Sequence, residues 1–541
     1  MDYKENSIIN PFLYITKQVR KIYLNSSIYN TKISKVFDGG LEYIPHLKIF
    51  DCIIKGNDRK NRVEDYNIES IWENQNLLEK DFKKLHSFFW LFTIDLKSSK
   101  KITRSVISNW TNLNQNYSIK SWELDTLSKR IIAWIANSNN FYHEGDEHFK
   151  INFTKILKKQ LNHLTNEIKN SEFVNDKMIG CCAIIMGGLC FKQQLHYLNI
   201  GLQLLKRIIN TIFDNDGFPK SRNPRQVIFY LKYFVFIREL LRDSNTDIPE
   251  YLNEIIYYLG KTFDFYFEDK DVTFLFNGNH NLDITGFKKY LKEHNYKFDS
   301  KLNSVGGYSV IKNKKDKIIV DFGPTPEKKY STDYQSGALS FEIFHDKEKL
   351  ITNCGYFQNY NHKLNILSKS TAAHSTLSID DRSSCKFKKD KLGYFVLENS
   401  IKVSSKKIYH DDDLWEIQGA HDGYFKEYGI LHERNIKFFP KEFRYVGEDI
   451  IICKKKFRKV GFDIRFHLLP NTKAIKTQDK QSILLQLKKT GWKFICNNRN
   501  FGIETGLYFG NKNSYTENKN IYVSGEVAKE KEIIEWEIKR I

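Results

Sequence analysis

A few short stretches hold the polar side chains whose types and spacing can do chemistry. SRNP sets the Arg222 guanidinium beside the Asn223 amide, immediately before Pro224. An asparagine there suits the cap of a helix whose first turn takes the proline, and a guanidinium can hold an acid group through two parallel bonds. FNGNHN supplies Asn277, Asn279 and His280, flexed by glycine, as the rim of a cleft or as an ordinary connecting loop. DYQSG places Tyr334 next to Gln335. In TAAHSTLSI the alternation puts Ala373, Ser375, Leu377 and Ile379 on one face and Ala372, His374, Thr376 and Ser378 on the other. His374 is therefore expected outside the core, open to a neighbouring surface. Imidazole and phenol groups of this kind can relay protons. His421, His432, Arg434, Arg465 and His467 sit on strands with polar alternation, where pairing within a sheet stack is the simplest reading. Asp411 to Asp413 reads as a solvated turn.

Two kinds of element must position these residues. Up to about residue 285 the apolar spacing is helical, as in Leu124, Leu127, Ile131 and Trp134, and again in Leu198, Leu202, Leu205, Ile209 and Ile212. Ser121 is expected to cap the first of these helices, with Trp122 and Glu123 in its first turn. Short extended pieces are expected near 41–54. The helix over 225–242 is apolar nearly all round, which predicts a buried position. From Val305 onward short alternating runs broken by Gly, Pro and Asn predict antiparallel strands in a sandwich. Helices first and strands afterwards predict two segregated layers, with a helical domain over 1–290 and a sandwich over 300–541.

Composition narrows the partners. With 541 residues and 41% hydrophobic content the chain can bury two large cores. The formal charge of +20 comes from dispersed lysines, with no recognisable nucleic-acid module. Nucleic acid is not expected as a partner. The longest apolar run, 181–191, is too short to insert in a bilayer. The N-terminus lacks the apolar core of a secretory signal. Eight scattered cysteines form no paired framework, and a cytoplasmic location is expected. Vicinal Cys181 and Cys182 are expected to be small buried residues.

DFGP, SGALSFEI, LITNCG and TAAHSTLSIDDRSS, in that order, resemble the start of the sandwich of heparinase II/III-like proteins. HDGY, HER, RFHLLPN and GWKF continue the likeness, and DGFPKSRNP extends it upstream. The resemblance implies an α/α toroid, an incomplete helical barrel, followed by an antiparallel β-sandwich. It implies a polysaccharide lyase that cleaves an acidic, uronate-containing glycan by β-elimination in an interdomain cleft. The competing implication is a non-catalytic glycan-binding or structural descendant. On the lyase reading Asn223 neutralises the uronate carboxylate, Tyr334 or His374 handles the protons, and Arg222, Asn277, His280 and Gln335 bind substrate. The sequence departs from the pattern where related proteins show two alternating histidines, for which it has Asp333-Tyr334-Gln335, and where an aspartate is common it has Asn353. Some related enzymes hold zinc there. Amides are poor zinc ligands, so no metal is expected, and no organic cofactor.

Overall fold

The computed structural model describes residues 11–541 with the exception of 38, 47, 51–71, 73–76, 95, 97–99, 193–194, 268–272, 299–301, 456–458, 498 and 513. The architecture is an α/α toroid followed by an antiparallel β-sandwich. Two compact units interleave along the chain. One comprises Met1–Thr211, Phe229–Tyr257 and Thr285–Tyr296; the other comprises Ile212–Ile228, Tyr258–Ile284 and Lys297–Ile541. The SRNP and FNGNHN stretches, assigned by sequence to a domain ending near 290, thus cluster with the sandwich strands.

Helical periodicity is realised in Leu124–Asn137, Glu147–Glu167, Val174–Cys190, Leu195–Ile212, Pro224–Asp243 and Glu250–Phe267. Asp146 caps Glu147–Glu167, its carboxylate accepting the Phe149 N–H at 2.7 Å. The predicted Ser121 cap does not form. Glu123 stands at the N-cap without a side-chain cap bond, and Trp122 and Ser121 fall in the preceding turn, both buried. The helix begins only at Leu124, out of reach of a Ser121 cap, and the Ser121 hydroxyl is left buried without a partner. Among the described residues of 41–50 there is no strand, only loop that becomes helical at Ile49, while 47 and 51–54 lie outside the described residues. Cys181 and Cys182 are fully buried in the apolar helix Val174–Cys190. Among the described residues no helix is long and apolar enough to cross a membrane.

The sandwich unit contains a five-stranded antiparallel sheet built in chain order from Ser304–Val305, Tyr308–Lys312, Asp316–Asp321, Phe341–His345 and Glu348–Ile351. An eight-stranded sheet runs Lys473–Lys476, Ile483–Gln486, Gly491–Ile495, Lys531–Arg540, Arg444–Cys453, Ile430–Phe439, Trp415–His421, Val403–His410. Asn500–Tyr508, Thr516–Val527, Val460–His467 and Leu377–Ile379 form a four-stranded sheet. Strict alternation along Ile430–Phe439 sends Ile436 and Phe438 inward with His432 and Arg434. These inward polar groups pair with one another, as buried ones generally do, with Arg434 Nη2 the exception. Asp449 accepts His432 Nε2 at 2.7 Å, Arg434 Nε at 2.8 Å and Trp536 Nε1 at 3.0 Å, and His432 Nδ1 lies 3.1 Å from His421 Nε2. The histidines and arginine of HDGY and HER therefore pair within the sandwich. Asp411 closes an exposed turn by accepting the N–H groups of Asp413 and Leu414.

Candidate functional site

Residues 214–225 begin as a turn in which Asp214 accepts the N–H groups of Asp216 and Phe218 at 3.0 and 2.7 Å. The chain then reaches Arg222, whose φ of 58° lies in the left-handed region. A non-glycine residue persists there only when its surroundings hold it, and here the whole guanidinium is held. Nη2 donates to Asp321 Oδ1 at 2.5 Å, Nε to the Gly306 carbonyl at 3.0 Å and Nη1 to the Pro324 carbonyl at 3.2 Å. The group also lies 4.6 Å from the Tyr308 ring centre. A Cβ at Gly323 would come within 2.0 Å of the Arg222 guanidinium carbon, so the strand end must be glycine for this fit. Burial opposes the charge on Arg222, but Asp321 outweighs it and raises the guanidinium above its ordinary range.

Asn277 and Gln335 complete this clasp. Asn277 Nδ2 donates to Asp321 Oδ2 at 3.1 Å and also contacts the Tyr308 hydroxyl, while its Oδ1 accepts the Gln335 N–H at 3.1 Å. Gln335 accepts the Gly278 N–H at 3.0 Å and donates to the carbonyls of Gly355 and Ser368. Arg222, Asn277 and Gln335 are all buried and their polar atoms are spent within the protein. From sequence they were expected to bind substrate; in the folded protein their hydrogen bonds run to other parts of the same unit.

Asn223 caps Pro224–Asp243, its Oδ1 accepting the Arg225 N–H at 2.9 Å. Its Nδ2 donates to Asp333 Oδ2 at 2.9 Å. Gly278, at φ 79°, presses on this pair: a Cβ there would meet Asn223 Nδ2 at 2.6 Å and Asp333 Cβ at 2.7 Å. Around Asp333 a polar cluster gathers. The Tyr360 hydroxyl donates to Asp333 Oδ1 at 2.9 Å, and Arg225 Nη2 lies 3.7 Å from Asp333 Oδ2. Arg225 Nη1 lies 3.3 Å from His280 Nε2, and His280 Nδ1 lies 2.8 Å from the Asn281 carbonyl. A carbonyl only accepts, so Nδ1 carries the proton and Nε2 presents its lone pair to Arg225. Burial pushes His280 down to about 4, with the Arg225 charge adding to the fall. The Arg225 side chain keeps 23% of its surface exposed and that of Asp333 11%. Tyr360 is half-buried, and its ring meets Tyr394 edge-on at 4.6 Å. Asn223→Ala is expected to cost about 1–2 kcal/mol, since it removes the cap and a donor to Asp333 together; urea unfolding of the intact protein reads this directly.

Tyr334 and His374 are elsewhere in the unit's interior. The strand predicted through His374 shortens to Leu377–Ile379, because 371–373 coil into a 3-10 turn. His374 is consequently 1% exposed, not open to a neighbouring surface. Its Nδ1 lies 2.9 Å from the Ser370 carbonyl, which leaves Nε2 as a bare, buried nitrogen without a hydrogen-bond partner. Burial pushes this imidazole down to about 4. Tyr334 is wholly buried among Ala338, Cys385, Leu397 and Ile401, and burial raises its phenol well above the ordinary range. Neither the Tyr334 hydroxyl nor Asn353 Nδ2 has a hydrogen-bond partner. A zinc ion does not fit these residues: His374 Nε2 is the one good donor, and Gln335 and Asn353 bring amides already bonded to backbone groups. Among the described residues no three His, Cys, Asp or Glu side chains gather as a metal-ligand group.

The C-terminal heparinase II/III-like family matches residues 297–537. That stretch of the chain is heparinase II/III-like. The fold agrees beyond the matched region. The crystal structure of Heparinase III superposes with a TM-score of 0.69 at 14% identity, covering 99% of this chain and 92% of that one. Heparan sulfate lyase HepC from Pedobacter heparinus gives 0.65 at 13% identity, covering 96% and 88%. By sequence the chain is also similar to FtsZ-localized protein C of Caulobacter vibrioides (strain NA1000 / CB15N), at 23% identity over 430 residues, 75% of this chain and 73% of the relative. Sequence reasoning missed Arg225, Asp333 and Tyr360. Arg225 directly follows SRNP and Asp333 stands directly before Tyr334, so both bordered residues already singled out; nothing in the variable tract pointed to Tyr360.

Proposed function

We propose that this protein binds an acidic glycan on the lyase scaffold without cleaving it, through the cluster of Arg225, His280, Asp333 and Tyr360. The observation that carries this reading is the enclosure of both acid–base residues, since Tyr334 and His374 have 0% and 1% exposure. β-Elimination needs a base within reach of the sugar C5 proton and an acid at the departing oxygen. Groups with no open face and a buried phenol held protonated supply neither. Asn223 is likewise engaged at both ends of its amide, with the Asp333 carboxylate where a uronate would have to approach. Arg225 remains part-exposed and able to take a sugar carboxylate or sulfate by charge-assisted bonds. The similar protein from Caulobacter is named for its localisation to FtsZ.

One observation favours a second reading, in which catalysis has moved to His280. Its Nε2 lone pair is unprotonated at neutral pH and bonds the part-exposed Arg225, but the imidazole itself is 3% exposed, so this reading requires Arg225 to swing aside. The assay for both is unsaturated-uronate absorbance across heparan-, chondroitin-, hyaluronan- and alginate-type polymers, run beside calorimetric binding. Binding without absorbance is expected, with Arg225→Gln weakening binding by roughly tenfold, as for the loss of one charged contact. Turnover that falls on the order of a hundredfold or more in His280→Ala would sink the non-lytic reading and establish the second.

A further inference from the structure

A groove of about 720 Å³ opens within the sandwich unit where three turns meet. One is the Asp346-Lys347 turn between Phe341–His345 and Glu348–Ile351; the second is the Leu469–Thr472 connection before Lys473–Lys476; the third follows Ile483–Gln486. This volume lies in the roughly 300–1,000 Å³ range of small-ligand clefts. Lys347, Lys473 and Lys488 line it, all exposed. Among the described residues these three ammonium groups have no carboxylate partner, whereas Lys349 on the same wall is buried against Glu342 at 3.1 Å. Glu348 is the one carboxylate of the lining among the described residues, so the wall carries an excess of positive charge. Lys347 adopts φ 67° and Asn471 φ 73° in their turns, a left-handed backbone that a regular strand end would not need.

Charge alone would draw any polyanion; the remaining lining decides between classes. Asn471 contributes an amide that can both donate to and accept from sugar hydroxyls, while Asn281 and Gln486, whose NH2 groups donate within the protein, offer amide oxygens as acceptors. A single-stranded nucleic acid would need exposed aromatic faces on which bases stack, and Tyr508, the ring in this lining, is 5% exposed. Asn281 directly follows His280, so the groove adjoins the candidate site along the chain. We propose that this groove is an accessory binding site for a segment of anionic polysaccharide, carboxylated or sulfated, an inference that rests on the acidic-glycan reading above. The lysines neutralise the acid groups, the amides read the hydroxyls, and a chain held here extends the grip of the Arg225 cluster.

The test uses the intact protein with Lys347→Asn, Lys473→Gln and Lys488→Gln combined; asparagine tolerates the left-handed turn at 347. Calorimetry with a heparin hexasaccharide and a polyuronate hexasaccharide is expected to show Kd raised about tenfold, as for the loss of three exposed charge contacts. Salt dependence should weaken with it, while the unfolding midpoint stays unchanged. Unchanged affinity in the triple variant alongside weakened binding in Arg225→Gln overturns the groove and leaves the acidic-glycan reading standing. Weakening by the triple variant with no effect of Arg225→Gln keeps the groove and removes the Arg225 cluster from the reading. Wild-type protein that binds neither hexasaccharide refutes both. Tighter, lysine-dependent binding of polyphosphate or a single-stranded oligonucleotide overturns the ligand class.

Discussion

Replacing Arg222 with alanine is expected to destabilise the sandwich unit by about 3–5 kcal/mol, the scale for removing one partner of a buried ion pair. The Arg222 side chain is 7% exposed and that of Asp321 1%, so water does not replace the lost bond. Asp321 would keep Asn277 as a donor but lose its compensating charge, and the carbonyls of Gly306 and Pro324 would each lose a donor. Urea unfolding of the intact protein, followed by tryptophan emission, measures the loss. The same experiment separates two roles for this residue. A substrate clamp would show near-native stability with weakened glycan affinity, and a change within about 0.5 kcal/mol would exclude the clasp described above. Asp321→Ala should fall by a comparable amount. The double variant Arg222→Met, Asp321→Leu should cost less than the two single losses added together, because no unpaired charge is left inside.

Acidification is expected to produce the second large loss. Burial pushes His374 down to about 4 and His467 to about 3, each 1% exposed. Both lie below the ordinary value near 6.5. As pH falls below 6.5 the unfolded chain takes up protons that the folded protein refuses, so stability present above that value drains away toward pH 3–4. Together the two sites are worth on the order of 8 kcal/mol across this window. Asp449 does not blur the effect: although burial opposes its charge, Arg434 and His432 hold it well below the usual carboxylate range, and it stays ionised throughout. Denaturant unfolding at pH 7.5, 5.5 and 4.5 is expected to show a steady decline, shallower in His467→Asn. A free energy that is level from pH 7.5 to 4.5 would contradict the enclosure of these imidazoles, and with it the main support for a non-lytic site.

The division into a helical part and a strand part was legible in the chain because both rest on local periodicity. A spacing of three to four, as in Leu198 to Ile212, and an alternation of two, as in Ile430 to Phe439, each report one element without reference to anything distant. The cap at Asn223 was legible for the same reason, since its partner is the N–H of Arg225 two residues on. So was the inward pairing of His432 and Arg434, whose strand is regular from end to end. Accessibility was not. Parity placed His374 on an outer face, but parity holds only within a strand, and the 3-10 turn at 371–373 ended it. Arg222 looked like a free fork for an acid group because its counter-charge, Asp321, lies 99 residues away. Asp333 and Tyr360, separated by 27 residues, came together through the fold as well. Residue types alone thus determined which chemistries were available to this protein, while tertiary contacts decided which of those side chains still face outward with a bond to offer. The reason is that desolvation and charge pairing depend on neighbours in space, and those neighbours are set by the packed structure rather than by order along the chain.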